Sequence, residues 1–223
     1  MCARYSLKTN PLELQAEFEL AGAPVLQPRF NLAPTQAAPI ITALDAHALT
    51  IARWGLVPSW AKQLRSVTNT FNARAETLAT KGVFKDALKH RRCLVPVDGF
   101  YEWRQVGKLR QPLHITLASH RPFSFAGLWD TWTSPEGLRV VSFTIVTTEP
   151  NAFMGAIHTR MPAVIAPADR HRWLTDEASS AQLLAPWAGE PLTAVEVSQA
   201  VNKVANDDAR CLEPAKTVQL TLL

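Results

Sequence analysis

The chain reads “PFSFAGLW” at residues 122–129 and “RVVSFTIVT” at residues 139–147, and these stretches decide the predicted fold. Both combine aromatic and β-branched side chains in partial alternation, which is typical of β-strands that bury one face. Runs of the same kind recur along the chain, so strands dominate the prediction. They lie at residues 40–44, 49–56, 92–97, 112–118 and 193–198.

Predicted helices are few and short. Residues 11–21 contain helix formers, a glutamate in the first turn and a Gly–Pro stop, so a helix is expected there. Shorter candidates lie at residues 82–90, 169–176 and 180–186. Residues 28–40 are rich in proline, which predicts an extended, rigid loop rather than a regular element.

The order of these elements favours one fold class. Helices do not alternate regularly with the strands, which argues against a doubly wound parallel sheet. No repeat, low-complexity stretch or shift in composition marks a domain boundary. We therefore predict a single α+β domain over residues 1–223, with a mostly antiparallel, barrel-like sheet and peripheral helices.

Composition is that of an ordinary globular protein. Hydrophobic residues make up 47% of the 223 residues and charged residues 19%. No apolar run approaches the roughly 18 residues of a membrane span, and the first residues lack the apolar core of a secretory leader. We expect a cytoplasmic protein without a membrane partner. The net charge of +4 permits an anionic partner without requiring one.

The three cysteines differ in their chemical potential. Cys2, Cys93 and Cys211 have no C-x-x-C spacing, so neither a disulfide framework nor a structural zinc site is indicated. Cys93 and Cys211 lie in stretches where a small buried hydrophobe is expected. Removal of Met1 would leave Cys2 with both a free α-amine and a thiol.

The motif TFNARAE at residues 70–76 places Asn72 and Arg74 two residues apart. In an extended segment these two side chains share one face, while Phe71 and Ala73 share the other. Such a pair can orient a carbonyl or sugar hydroxyl and hold a phosphate. The alternative is a surface strand with an incidental arginine.

The motif DGFYEWR at residues 98–104 sets Glu102 among aromatic residues. An apolar setting raises the pKa of a carboxyl group, which lets the group act as acid and base in turn near neutral pH. The alternative is an edge-strand glutamate paired with Arg104 or with a lysine.

The motif GAIHTRMPAV at residues 155–164 repeats the two-residue spacing with His158 and Arg160. A titratable ring again lies beside a cation. The alternative is a histidine that only makes structural hydrogen bonds.

Tryptophans and prolines upstream could contact bases. Trp54 and Trp60 flank a proline in RWGLVPSWAK, and Pro34 ends the stretch RFNLAP. Aromatic and proline side chains on a loop can stack on bases or wedge between them. We expect Trp54 in the core and Trp60 as the better candidate for nucleic-acid contact.

Taken together, these motifs resemble those of the SOS response-associated peptidase (SRAP) family. The motifs, in chain order, are MCAR, FNARAET, VDGFYEW, IHTRMP and VSQAVNKVANDD. The resemblance extends from Cys2 to about Pro214. One departure is Ala3, where the family usually has glycine.

The resemblance implies a protein that captures abasic sites in single-stranded DNA covalently through Cys2, and that associates with the nucleoid when bound to DNA. Asn72, Glu102 and His158 would line the reacting centre, with Thr147 as a further active-site position. Phosphate contacts and base-displacing residues would surround it. The phosphate contacts would be Arg4, Arg74 and Arg160, and the base-displacing residues Pro34 and Trp60.

The chemistry of an N-terminal cysteine suits this function. Its α-amine can form an imine with the ring-opened sugar aldehyde, and its thiol can then close a five-membered thiazolidine. No metal or other cofactor is needed, and a monomer is expected. One rival is an N-terminal-nucleophile thiol peptidase or amidase, in which Cys2 attacks a carbonyl. Another is a non-covalent DNA reader. The resemblance also implies a thiol autopeptidase activity that removes the protein's own Met1.

Overall fold

The computed structural model describes residues 2–64, 69–107, 109–178 and 180–215, and strands dominate this part of the chain. In chain order the strands are β1 (Tyr5–Leu7), β2 (Arg29–Leu32), β3 (Ala37–Thr42), β4 (Asp45–Trp54), β5 (Asn72–Arg74), β6 (Arg92–Val97), β7 (Gly99–Val106), β8 (Leu109–Leu117), β9 (Phe123–Thr133), β10 (Arg139–Thr148), β11 (Met161–Pro162), β12 (Val164–Ile165) and β13 (Leu192–Glu196).

The strands form two sheets. In the larger one β3, β4, β6, β9 and β10 pair in a closed ring, hereafter the barrel, and β5, β11 and β12 add to its strands. The smaller sheet has five strands in the order β13-β8-β7-β1-β2. The pairings are antiparallel except those of β10 with β4 and with β5. The predicted α+β class with a mostly antiparallel, barrel-like sheet is confirmed, and the assignment of residues 1–223 to one domain stays a prediction.

The described helices are short and peripheral. They are α1 (Pro11–Phe18), α2 (Gly82–His90), α3 (Ala152–Gly155) and α4 (Arg170–Thr175). Arg92, which is buried, donates to the carbonyl groups of Leu88 and Lys89 at the end of α2, which fixes that helix to β6. Within the described ranges, no helix has the length and apolar character needed to cross a membrane.

Two of the predicted helices differ from the structure, one in its length and one in its type. Helix α1 begins after the Asn10 side chain, which accepts the Leu12 N–H, and it ends at Phe18 because Glu19 takes a left-handed conformation with φ of 53°. The predicted end at residue 21 is therefore wrong. Residues 180–186 contain only a 3₁₀ turn at Gln182–Leu184 rather than an α-helix.

The prediction of a loop over residues 28–40 is also wrong, because this stretch contains β2 and most of β3. The prolines are placed where their missing N–H groups matter little. Pro28 and Pro34 lie outside both strands, and Pro39 lies where β3 pairs with β4 but not with β6.

Aromatic packing joins the two sheets into one core. The Trp54 ring lies 5.1 Å from the Tyr5 ring of the five-stranded sheet and 6.3 Å from the Phe143 ring of the barrel. All three side chains are buried, as predicted for Trp54, and the Trp54 indole N–H donates to the Phe71 carbonyl at 2.7 Å. The position of β1 is therefore set by the barrel as well as by its own sheet.

Residues 197–211, hereafter the C-terminal segment, fasten the edge of the five-stranded sheet. The Asp207 carboxylate accepts the backbone N–H groups of Phe30 and Asn31. The buried Asn31 amide in turn donates to carbonyl groups of the segment, at Val201, Lys203 and Asn206. A buried amide that meets three acceptors holds its partners in one arrangement.

We expect Gly127→Ala to destabilise the protein by about 1–3 kcal/mol, the usual cost of overpacking a core. Gly127 lies on β9 between β6 and β10, and an added Cβ would lie 2.7 Å from the Cys93 sulfur and 3.1 Å from the Thr144 carbonyl oxygen. Urea unfolding measures the change.

Gly82→Ala is the matched control, because no atom lies within 4 Å of its added Cβ. Its free energy of unfolding should stay within about 0.5 kcal/mol of the parent. Equal stabilities for the two variants would contradict the tight packing at Gly127.

Candidate active site

Cys2 is buried where the two sheets meet. Its carbonyl oxygen accepts a hydrogen bond of 2.8 Å from Nδ2 of Asn72, which begins β5. Burial raises the pKa of the Cys2 thiol well above its ordinary value, and the negative charge of Glu102 adds to the rise. The thiol is therefore protonated at neutral pH and needs a proton acceptor before it can act as a nucleophile.

Glu102 and His158 line a cleft of about 470 Å³ together with Ala3, the neighbour of Cys2. Glu102 is buried on β7, and this burial raises the pKa of its carboxyl group, as the sequence predicts. The positive charge of Arg110 acts in the opposite direction, as does a positive charge on His158. A carboxyl group with a raised pKa can both accept and donate a proton near neutral pH.

His158 is oriented by the backbone of its own loop. Nδ1 of His158 lies 3.0 Å from the backbone nitrogen of Arg160 and 3.1 Å from its carbonyl oxygen, so the Arg160 backbone can hydrogen-bond to the ring in either tautomer. The His158 N–H donates to the Met154 carbonyl of α3 at 2.8 Å, so the short helix positions the ring.

Asn72 has a second polar atom beside Cys2. Its Oδ1 is buried, and none of the described residues donates a hydrogen bond to it. Since buried acceptors normally have partners, this oxygen is suited to receive a hydrogen bond from a bound group. Thr147 is buried on β10, where it pairs with Arg74 of β5.

The three predicted phosphate-binding arginines differ in how far their donors are already used. Arg4 donates to Oδ1 of Asn31 at 2.9 Å and to the Val201 carbonyl at 2.6 Å. Arg160 forms a bidentate ion pair with Glu76, with both contacts at 2.8 Å, and donates to the Thr147 carbonyl.

Arg74 is exposed, and no acceptor among the described residues takes a hydrogen bond from its guanidinium. The fold brings it close to Arg160, because Thr147 pairs with Arg74 across the sheet and also accepts from Arg160. These contacts favour Arg74 as the more accessible cation and leave Arg4 and Arg160 with structural contacts as well.

Pro34 and Trp60 lie outside this cleft. Pro34 lines a second cleft of about 420 Å³ with Trp54 and with Phe71, the residue before β5. Trp60 is 64% exposed, so its ring is accessible for the nucleic-acid contact that the sequence predicts. Their proposed role in displacing bases stays a prediction.

The cleft also contains three residues that the sequence did not single out, namely Trp103, Arg110 and Asn202. The Trp103 indole N–H donates to Oδ1 of Asn202 at 2.7 Å, and the Arg4 guanidinium lies 6.0 Å from the Trp103 ring. Asn202 belongs to the motif VSQAVNKVANDD, so the motif was the available signal for it. Nothing in the sequence indicates Arg110, whose position depends on the register of β7 and β8.

No metal-binding cluster occurs among the described residues. Across the described ranges, no three His, Cys, Asp or Glu side chains come close enough to hold a metal ion. Cys93 and Cys211 are buried, as predicted.

The comparisons with known proteins agree with the sequence motifs. The family model for SOS response associated peptidase (SRAP) matches residues 1–204, which confirms the predicted resemblance. The abasic site processing protein YoaM of Bacillus subtilis is 36% identical over 222 residues, covering 96% of this chain and 98% of the relative. The abasic site processing protein HMCES of Gallus gallus is 32% identical over 227 residues, covering 84% of this chain and 66% of the relative.

Solved structures show the same fold. A crystal structure of a protein from Bacteroides thetaiotaomicron has a TM-score of 0.86 and 26% identity, and the match covers 96% of this chain and 100% of that chain. A protein from Bordetella bronchiseptica has a TM-score of 0.79 at 24% identity, covering 88% of this chain and 100% of that chain.

We expect the stability of the parent to fall relative to Glu102→Gln as the pH rises. Below about pH 4.3, the ordinary pKa of a glutamate, the carboxyl group is neutral in both the folded and the unfolded chain. As the pH rises from there through the raised folded pKa, the buried carboxylate forms and the parent loses stability, whereas glutamine does not ionise. Urea unfolding of both proteins across this range measures the difference.

Asp86→Asn provides a control of opposite sign. The hydrogen bond from Arg91 lowers the pKa of Asp86, so the parent should gain stability relative to this variant as the pH rises. A difference between the parent and Glu102→Gln that does not change with pH would contradict the raised pKa of Glu102.

Proposed function

The chain belongs to the SOS response associated peptidase family, and from this premise we propose that it binds single-stranded DNA and captures abasic sites covalently through Cys2 after Met1 is removed. The adduct would protect the lesion in the response to DNA damage. The observation that carries the proposal is that Glu102 and His158 line one cleft of about 470 Å³ with Ala3, the neighbour of Cys2, and that Glu102 is close enough to Cys2 for its charge to raise the pKa of the thiol.

Capture begins with the α-amine. Removal of Met1 converts the peptide nitrogen of Cys2 into an amine of pKa about 7.7–8.0, which is partly unprotonated at neutral pH. The nitrogen adds to the C1 aldehyde of the ring-opened sugar, and loss of one water gives an imine. In the ring opening that precedes this step, His158 is suited to protonate the sugar's ring oxygen, since its side chain lines the cleft with Glu102.

Ring closure uses the thiol. The Cys2 sulfur adds to the imine carbon, the thiol proton leaves and the imine nitrogen gains a proton, so that a thiazolidine forms with water as the only by-product. Glu102 is close enough for its charge to affect the thiol, and its raised pKa suits it to carry these protons. The Asn72 bond to the Cys2 carbonyl holds the residue in place while both bonds form.

A peptidase is the second candidate function, because the matching family is named for peptidase activity. An N-terminal-nucleophile hydrolase would use the same amine as a base and the same thiol as the nucleophile, but on an amide carbonyl. The two functions differ in substrate. An aldehyde-bearing DNA strand and an unmodified peptide therefore distinguish them.

We expect Cys2→Ser to change the nature of the adduct. Serine keeps the α-amine, so an imine can form, but it has no thiol to close the thiazolidine. After incubation with uracil-containing single-stranded DNA treated with a glycosylase, the parent should give a band on a denaturing gel without any reductant. Cys2→Ser should give one only after borohydride reduction.

Cys93→Ser is the matched control, because Cys93 is buried on β6 of the barrel, does not line the cleft and should leave the adduct unchanged. Intact mass of the protein used should show that Met1 is absent. Adduct formation by protein that retains Met1 would contradict the mechanism, and equal protection of the lesion by Cys2→Ala would favour the non-covalent reader.

We expect Glu102→Gln to slow adduct formation by about 10²–10⁴-fold, the usual loss when a general acid–base is removed. Glutamine keeps the shape of the side chain and removes its proton transfer. Affinity for a strand with a tetrahydrofuran in place of the abasic sugar, which lacks the aldehyde, should change little. An unchanged rate with a large loss of affinity would make Glu102 a structural residue instead.

A further inference from the structure

Arg110 is the cation that the hairpin of β7 and β8 adds to the cleft. In this hairpin Gln105 pairs with Arg110 and Val106 with Leu109, so Arg110 lies one pair away from the turn. Its side chain is exposed and lines the same cleft as Glu102 and His158. The hairpin belongs to the five-stranded sheet, whereas Arg74 belongs to β5 beside the barrel.

The backbone around Arg110 is held in place. Nε2 of Gln199 donates to the Arg110 carbonyl at 3.3 Å, and Nε2 of the neighbouring Gln111 donates to the Val197 carbonyl at 3.0 Å. Both contacts tie the hairpin to the C-terminal segment. The backbone is therefore preorganised while the long side chain extends into the cleft.

The donors of Arg110 are available to a ligand. Arg4 and Arg160 use theirs on Asn31, Val201, Glu76 and Thr147. Within residues 2–64, 69–107, 109–178 and 180–215, no acceptor takes a hydrogen bond from the Arg110 guanidinium. An arginine keeps its charge at every accessible pH and presents five N–H donors, a geometry that suits phosphate.

Arg104 shows what a structural arginine in the same hairpin looks like. Arg104 lies on β7 and pairs with Gln111, the neighbour of Arg110 on β8. Its side chain is 46% exposed and forms an ion pair with Glu196 of β13. It lines a separate groove with Leu113 and Phe153 rather than the cleft of Glu102. The two arginines therefore share a hairpin and differ in their surroundings.

We propose that Arg110 binds a backbone phosphate of the captured strand next to the reacting sugar, from the hairpin wall of the cleft. The proposal rests on the proposed function and adds to it a second anchoring point, on a different sheet from the one that carries Arg74. A strand held from both sheets has its abasic sugar fixed over Cys2 and Glu102. Binding of this kind is independent of base sequence, because it reads the phosphate alone.

The first test compares Arg110→Gln with Arg104→Gln in binding a fluorescein-labelled single strand that carries a central tetrahydrofuran. Fluorescence anisotropy over a series of NaCl concentrations gives the affinity and its salt dependence. Arg110→Gln should bind several-fold more weakly, with a salt slope smaller by about 0.7 for the lost phosphate contact. Arg104→Gln should match the parent in both, and Arg110→Lys should keep the slope because it keeps the charge.

The second test measures the rate of adduct formation against pH with an aldehyde-bearing strand. The positive charge of Arg110 lowers the pKa of Glu102. In Arg110→Gln, the rising limb of the profile, where the rate of adduct formation increases with pH, should therefore move to higher pH. Arg104→Gln and Arg110→Lys should leave the limb in place. A merely structural role for Arg110 would not shift it.

The outcomes separate this inference from the proposed function. If the parent forms the adduct while Arg110→Gln and Arg104→Gln have the same affinity, salt slope and pH profile, the role of Arg110 is overturned and the proposed function stands. If the parent forms no adduct with the aldehyde-bearing strand, the proposed function fails, and the salt dependence with the tetrahydrofuran strand still decides whether Arg110 contacts a phosphate.

Discussion

The hydrogen bond from Asn72 to the Cys2 carbonyl is the contact on which the arrangement of the site depends. Cys2 leads into β1 of the five-stranded sheet, and Asn72 begins β5 beside the barrel, so the bond fixes Cys2, the proposed nucleophile, where the two sheets meet. The packing of Tyr5 on Trp54 supports the same junction from inside the core. A reacting group needs to be held within about 0.5 Å of its productive position, and a single sheet with one exposed end would not do so.

Burial at this junction has a cost and a use. Glu102 and Cys2 are both buried, and each therefore favours its neutral form. The cost is stability lost whenever the carboxyl group ionises. In the proposed function, the use is a carboxyl group whose raised pKa suits it to exchange protons with the buried thiol, so the same desolvation that weakens the fold would assist the chemistry.

The C-terminal segment explains how distant parts of the chain serve the cleft. Asp207 and Asn31 fix this segment to β2, and the segment then holds both Arg4 and the hairpin that carries Arg110. The cleft wall therefore combines Ala3 near the start of the chain and Asn202 of the C-terminal segment with the hairpin of β7 and β8. Arg4 is held by these contacts, since its donors meet Asn31 and Val201, whereas Arg110 lines the cleft and Arg74 is exposed on β5.

The sequence by itself determined the fold class, the main strands and the family, because alternating apolar patterns and short motifs are local properties of the chain. The same motifs predict Cys2, Asn72, Glu102 and His158 as site residues. It misjudged residues 28–40, since proline content does not reveal which N–H groups a sheet requires. Only the tertiary structure decided that Arg160 pairs with Glu76, that Arg4 donates to Asn31, and that Arg110 reaches the cleft. Those contacts join residues far apart in sequence, and strand register and sheet closure, which set them, leave no signal in any single stretch of the chain.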